Sequence, residues 1–263
     1  MKEIYLQIKY IIGRPSWWIG TLISFIAMMQ GFISEGIYQS KNLIYMMTVA
    51  MNYGVFIPLA PLAAVISVGG HLESAITNAC CYPHMIRCRK RQFVFYTGFS
   101  TAIAGGLALI AGWIISMGAL KFLWHLPTTG ENMLGLEQTS LGSWIAAGNP
   151  WAYLIARAIL VFLYGLFCVC VSMPIAFGRQ ESATICLFPF SFLRIMQYMF
   201  FGICPAFLSP TRILLGMDIM EINAKETFIV SFLSINVMSF FLLLHQDQAT
   251  CDRLQYSLCI QRI

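Results

Sequence analysis

Long apolar stretches separated by short polar, charge-bearing ones dominate the pattern of this chain. The apolar stretches cover residues 16–33, 43–67, 93–120, 152–177, 183–207 and 227–244. A helix rises about 1.5 Å per residue, so roughly 20 apolar residues cross the ~30 Å of hydrocarbon in a bilayer, where the backbone can bond only to itself. Each of the six stretches therefore predicts a transmembrane helix. The second, third and fourth exceed the minimum and are expected to tilt, kink or project beyond the lipid. Pro58 and Pro61 in the second, with Pro174 and Pro189 near the joint of the fourth and fifth, mark the expected kinks.

Ahead of the first span, Ile4, Ile8, Ile11 and Ile12 share one helical face with Lys2 and Lys9 beside it. Residues 1–15 are thus expected to lie as an interfacial helix that turns at Arg14-Pro15 into the span. Cleavage as a signal peptide is not expected, because the apolar run is too long and no small-x-small site follows it.

Composition agrees with this layout: 59% of the 263 residues are hydrophobic and 10% charged, with a mean hydropathy of +0.74. Soluble domains average about a quarter charged. A soluble core of this length could not hide so much apolar surface. The predicted fold is an all-α integral membrane protein, a single transmembrane domain over residues 1–263 with no linker, solenoid repeat or low-complexity tract.

Orientation follows from lysine and arginine, which concentrate in cytoplasmic loops. With the N-terminus inside, Lys2, Lys9, Arg14, Arg87, Arg89, Lys90, Arg91, Arg179, Arg253 and Arg262 are cytoplasmic, against Lys41, Lys121, Arg212 and Lys225 outside. Both termini are therefore expected in the cytoplasm. Trp17 and Trp18 are expected at the inner interface, and Trp124, Trp144 and Trp151 at the outer one. The outer loop, residues 121–151, contains Pro127, Gly130, Gly135, Gly142 and Asn149-Pro150, which read as turns around a short surface helix. None of the nine cysteines falls clearly in an outer loop, so reduced thiols are expected. The formal charge of +5 gathers at the inner surface, where it meets anionic lipid headgroups; no folded basic domain points to nucleic acid.

All eleven acidic residues lie outside the six stretches, which speaks against a proton- or sodium-coupled carrier with a carboxylate at membrane depth. No GxSxG, HExxH or GxxxxGK[ST] motif occurs, so no serine or zinc hydrolase and no ATP-binding fold is encoded. Cys80, Cys81, His84 and Cys88 carry zinc-preferring atoms, but their spacing matches no paired CxxC pattern; interfacial cysteines beside the basic run at residues 87–91 are the alternative. Arg194 lies near the middle of the fifth stretch, with Gln197 on the same face. With Asn52 and Asn236 it forms a candidate polar seam along a substrate path, or else it snorkels to the inner surface. Arg157, near the outer end of the fourth stretch, is expected to snorkel. Gly98, Ala102, Gly105, Gly106, Ala108 and Gly112 allow another helix to approach closely. In residues 69–92, Gly69 and Gly70 are expected to end or bend the second span, Glu73 to open a separate short helix, and Pro83 to stop it.

This layout resembles the permease subunits of the ABC-2 type transporter family, the membrane halves of exporters whose ATPase is a separate chain. Glu73, Pro83 and Arg87 stand where that family often has a glutamate, a proline and an arginine between spans two and three; Ala75 to Asn78 stand where it often has a glycine. The resemblance implies that residues 69–92 form the helix that couples to the ATPase, and that residues 208–226 form an outer, re-entrant segment. It further implies a second permease subunit, a homo- or heterodimer, and a partner ATPase that binds ATP and Mg; no cofactor is implied for this chain itself. The implied function is export of, or immunity to, an amphipathic peptide, lipid or drug-like molecule at a bacterial plasma membrane. Abundant Phe and Met suit an adaptable greasy path, although lipid-facing surface explains them equally well. The alternatives are an intramembrane enzyme acting on lipid or peptide, and a membrane sensor or assembly protein without transport. An enzyme is disfavoured because the spans hold no acid or histidine to titrate near neutrality.

Overall fold

The computed structural model describes residues 2–34, 42–77, 90–128 and 141–179, together with Ser191. All regular structure among them is helical: α1 (Lys2–Ile12), α2 (Pro15–Ser34), α3 (Leu43–Tyr53), α4 (Phe56–Thr77), α5 (Lys90–Leu123), α6 (Ser143–Ala146) and α7 (Pro150–Arg179). Three of these helices, α2, α5 and α7, are long and apolar enough to cross a membrane, and α3 with α4 makes a fourth if that bent pair is one span. The fifth and sixth expected spans, and the 208–226 segment, lie outside the described residues.

The first, third and fourth expected spans correspond to helices within a few residues of the expected bounds, the second to two helices that run well past residue 67 to Thr77, and α1 forms as a separate helix that ends at Gly13-Arg14. Ile11 is fully buried, while Tyr5, Leu6 and Tyr10 on the other face of α1 are exposed. α1 packs on α5, where Ser100 Oγ donates to Gln7 Oε1 at 2.6 Å.

The second span departs from the expected kinks at Pro58 and Pro61. It breaks before both, at Gly54-Val55, and α3 and α4 meet at 78°. Proline cannot supply the N–H that a continuing helix needs, but it is tolerated in a first turn, whose N–H groups have no intrahelical partner anyway. Restarting at Phe56 puts Pro58 in that turn. The break is covered by α2: Gln30 Oε1 accepts the Val55 N–H at 3.1 Å.

Gly69 and Gly70 do not end or bend the second span as expected. α4 runs through them to Thr77, so Glu73 lies in the continuing helix and opens no new one. Glycine lowers helix propensity by only ~1 kcal/mol, and the packed turns on the N-terminal side outweigh that. α5 is 34 residues long, about 51 Å at the helical rise, and so exceeds the hydrocarbon thickness by several turns.

Because lipid tails are as apolar as the side chains, helices in a membrane associate through close packing and interhelical hydrogen bonds. Small residues make that approach possible here. A Cβ on Gly106 would stand 2.7 Å from the Phe162 carbonyl oxygen of α7, and one on Gly20 2.5 Å from the Ala63 carbonyl oxygen of α4. The expected packing role of the α5 glycines is therefore met within this chain. Trp17, expected at the interface, is instead buried between α2 and α5, its indole N–H donating to the Ala104 carbonyl at 3.0 Å. Trp18 beside it is exposed, on a largely apolar face with Ile19, Leu22, Ile26 and Ile33. Burial is greatest at α7, where 72% of the apolar window is covered against 44% in α2.

At the other end of α5, Leu126 and Pro127 lead away and the Pro127 carbonyl accepts the Leu43 N–H at 2.8 Å, which ties the start of α3 to this loop. Asn42 caps α3 through Oδ1 on the Tyr45 N–H at 2.8 Å. Asn149-Pro150 forms the turn the sequence predicts: Gly148 adopts φ 77° after α6, and Pro150 opens α7, where its missing N–H costs nothing. Trp124 and Trp151 are exposed at this end, with Lys121 Nζ 4.6 Å above the Trp151 ring.

Candidate functional site

Two arginine clusters stand out, one inside the helix packing and one at the α1–α2 elbow. The interior one begins on α7, where Tyr153 and Arg157 are one helical turn apart and share a face. Arg157 is 2% exposed, so it does not snorkel as expected. Its Nε donates to the Tyr153 hydroxyl at 3.1 Å, and its guanidinium carbon lies 5.2 Å from that ring's centre. The reason is position: α7 is the most enclosed of the three long spans, and its Tyr153–Arg157 face is buried within the helix packing.

From Tyr153 the polar contacts cross to α3. Thr48 Oγ1 lies 2.9 Å from the Tyr153 hydroxyl and 2.9 Å from the Ile44 carbonyl. A carbonyl only accepts, so the single hydroxyl hydrogen of Thr48 is spent on Ile44 and Tyr153 must donate to Thr48. The order is then Arg157 N–H to Tyr153 O–H to Thr48 O–H to the Ile44 carbonyl. Such a chain, each member polarising the next in a low-dielectric interior, binds more strongly than its separate links.

The second cluster repeats the same spacing at the elbow. Arg14 follows Tyr10 by one turn, donates to its hydroxyl, and lies 4.6 Å from its ring centre. It also donates to the Gly70 carbonyl at 2.8 Å and to Ser74 Oγ at 3.1 Å, both on α4. His71 meets the Tyr10 ring edge-on at 5.8 Å. One side chain thus ties the elbow, α1 and the end of α4 together.

The sequence-derived candidates are only partly brought into view. Asn52 lies in the last turn of α3, and Glu73 in the last turns of α4, between the two residues that Arg14 contacts. Arg194, Gln197 and Asn236, as well as Pro83 and Arg87, lie outside the described residues, and so do Cys80, Cys81, His84 and Cys88. Among the described residues no group of three or more His, Cys, Asp or Glu side chains is placed to hold a metal ion. Sequence reasoning missed the relay itself. The available signal was the pair Tyr153 and Arg157 on one face, with Tyr164 two turns further along a helix too apolar to expose any side to water.

Among the described residues these elements make an all-helical protein with three to four candidate membrane spans. A scan against protein-family models gives no match, and searches of curated proteins and of solved structures return no similar chain.

Proposed function

We propose that this chain is the membrane-spanning permease subunit of an ATP-driven ABC exporter, working with a second permease subunit and a separate ATPase that binds ATP and Mg. In this reading α1 and the far end of α4 face the cytoplasm of a bacterial plasma membrane, and the cargo is an amphipathic peptide, lipid or drug-like molecule. One observation carries it: α4 runs unbroken from the interior past Gly70 to Thr77, and Arg14 clamps that extension to the elbow. A partner that pushes on residues 73–89 would move α4 and the elbow as one piece, with little loss of motion in a flexible joint. That is the mechanical property a coupling segment needs. The absence of ATP-binding motifs from this sequence fits an energy source supplied by a separate polypeptide.

The test is co-purification of a stand-alone ATPase and measurement of its stimulation by this chain. Glu73→Ala, or deletion across residues 75–83, is expected to abolish stimulation while the permease still accumulates in the membrane. Normal binding and stimulation in the deletion would remove the coupling assignment, and catalytic activity of the purified chain alone would favour the intramembrane-enzyme alternative.

A further inference from the structure

The elbow between α1 and α2 carries a second feature, independent of the permease reading. Leu6, Lys9, Tyr10, Gly13 and Arg14 line an open pocket of about 420 Å³. Its two charged members are both cations. The three hydrogen bonds that Arg14 makes go to a carbonyl, a serine hydroxyl and a tyrosine hydroxyl, all of them neutral. No ion pair forms here among the described residues, and the acceptors that hold Arg14 carry no charge of their own. Fixing a guanidinium on neutral acceptors at a half-buried site preorganises it for an anionic ligand, and its unspent N–H groups suit phosphate oxygens.

The pocket is also greasy. Leu6 and Tyr10 expose more than half their surface, and Trp18, one turn into α2, exposes 57%. Cations beside exposed aromatic and aliphatic side chains, at the start of a membrane-crossing helix, match a molecule with a phosphate at headgroup depth and hydrocarbon below it. A soluble phosphate would have no use for the apolar members. We propose that this elbow is a binding site for one anionic phospholipid, its phosphate held by Lys9 and Arg14 and its glycerol and upper acyl carbons lying along Leu6, Tyr10 and Trp18.

The full chain, purified in mild detergent, tests this by native mass spectrometry with phosphatidylglycerol or phosphatidylcholine added. Wild type is expected to retain one phosphatidylglycerol in preference to phosphatidylcholine. Near a membrane surface each basic residue contributes ~1 kcal/mol, so Lys9→Gln should weaken phosphatidylglycerol retention about fivefold. The Lys9 side chain makes no hydrogen bond among the described residues, so this variant is expected to keep the wild-type melting temperature, and Arg14→Gln in addition should remove the preference. Arg91→Gln, from the basic run elsewhere in the chain, should change nothing. Equal loss in Arg91→Gln would mean diffuse surface attraction and overturn the site, as would an unchanged Lys9→Gln. Displacement of the lipid by millimolar inorganic phosphate would overturn the phospholipid assignment in favour of a soluble anion.

Discussion

Tyr10-Arg14 and Tyr153-Arg157 are the same device used twice. In each pair a tyrosine precedes an arginine by four residues, the guanidinium lies over the ring, and it donates to the phenol oxygen. At the elbow the arginine keeps further donors for two groups on α4 and lies beside an open pocket. On α7 the arginine is 2% exposed, and the tyrosine hands the interaction on to Thr48. Helical spacing sets the pair in both cases; what covers it decides whether it acts as a clamp at a surface or as a relay in an interior.

That contrast depends on α7 staying close to its neighbours, so the most damaging change is one that pries them apart. Gly106→Ala puts a methyl group 2.7 Å from the Phe162 carbonyl oxygen, a backbone atom that cannot rotate away. Overpacking of this kind costs about 3 kcal/mol at the upper end of its usual range. The expected result is a large drop in unfolding temperature in detergent, with Arg157 opened to modification by an arginine-specific reagent. Wild-type stability would mean that the α5–α7 contact is looser than the coordinates show.

Tyr153→Phe attacks the interior pair directly. It keeps the ring under the guanidinium but removes the hydroxyl that accepts from Arg157 and donates to Thr48. A buried donor deprived of its acceptor costs about 2 kcal/mol. Thr48 retains the Ile44 carbonyl, so the double variant Tyr153→Phe/Thr48→Val should be little worse than the single one. A double variant that loses twice as much would show that the two contacts are independent rather than links of one chain.

Much of the backbone plan was legible because lipid imposes one simple demand: a span must be apolar along its whole length and bond its own backbone. That demand is written locally, and residues 16–33, 93–120 and 152–177 all appear as helices, slightly longer than the apolar runs. What was not legible depends on partners distant in sequence. Arg157 reads as a snorkelling residue until the surrounding helices cover it. Trp17 and Trp18 look alike in sequence, yet α5 buries one and leaves the other exposed. The break at Gly54-Val55 reflects both Pro58 and the Gln30 side chain of α2, and only the proline is visible locally. Candidates at residues 83, 87, 194, 197 and 236 lie outside the described residues, so the proposed path and coupling segment rest on the sequence there.

At the elbow, Gly70→Ala sharpens the comparison by stiffening the clamped element. A Cβ there would meet only Ser16 Oγ, at 3.9 Å, so nothing obstructs it. Within a helix, alanine is more favourable than glycine by about 0.5–1 kcal/mol, so a stability gain of that size, read as a higher unfolding temperature, is expected. Stimulation of a partner ATPase should be unchanged if α4 already moves as a rigid rod. Lost stimulation with gained stability would instead make Gly70 a working hinge.

Tyr10→Phe should have the smallest effect, and its value lies in being the counterpart of Tyr153→Phe. The substitution again keeps the ring and deletes one acceptor from an arginine. Here Arg14 still has Gly70 and Ser74, and its freed N–H can turn to water or a lipid phosphate, so a change within about 0.5 kcal/mol is expected, as for most surface substitutions. Chemically identical deletions with about fourfold different costs would show that burial, rather than the tyrosine–arginine pair as such, sets the energy of each site. Equal costs would mean that the elbow is as closed to solvent as the interior, and the case for a lipid in its pocket would fall with the contrast.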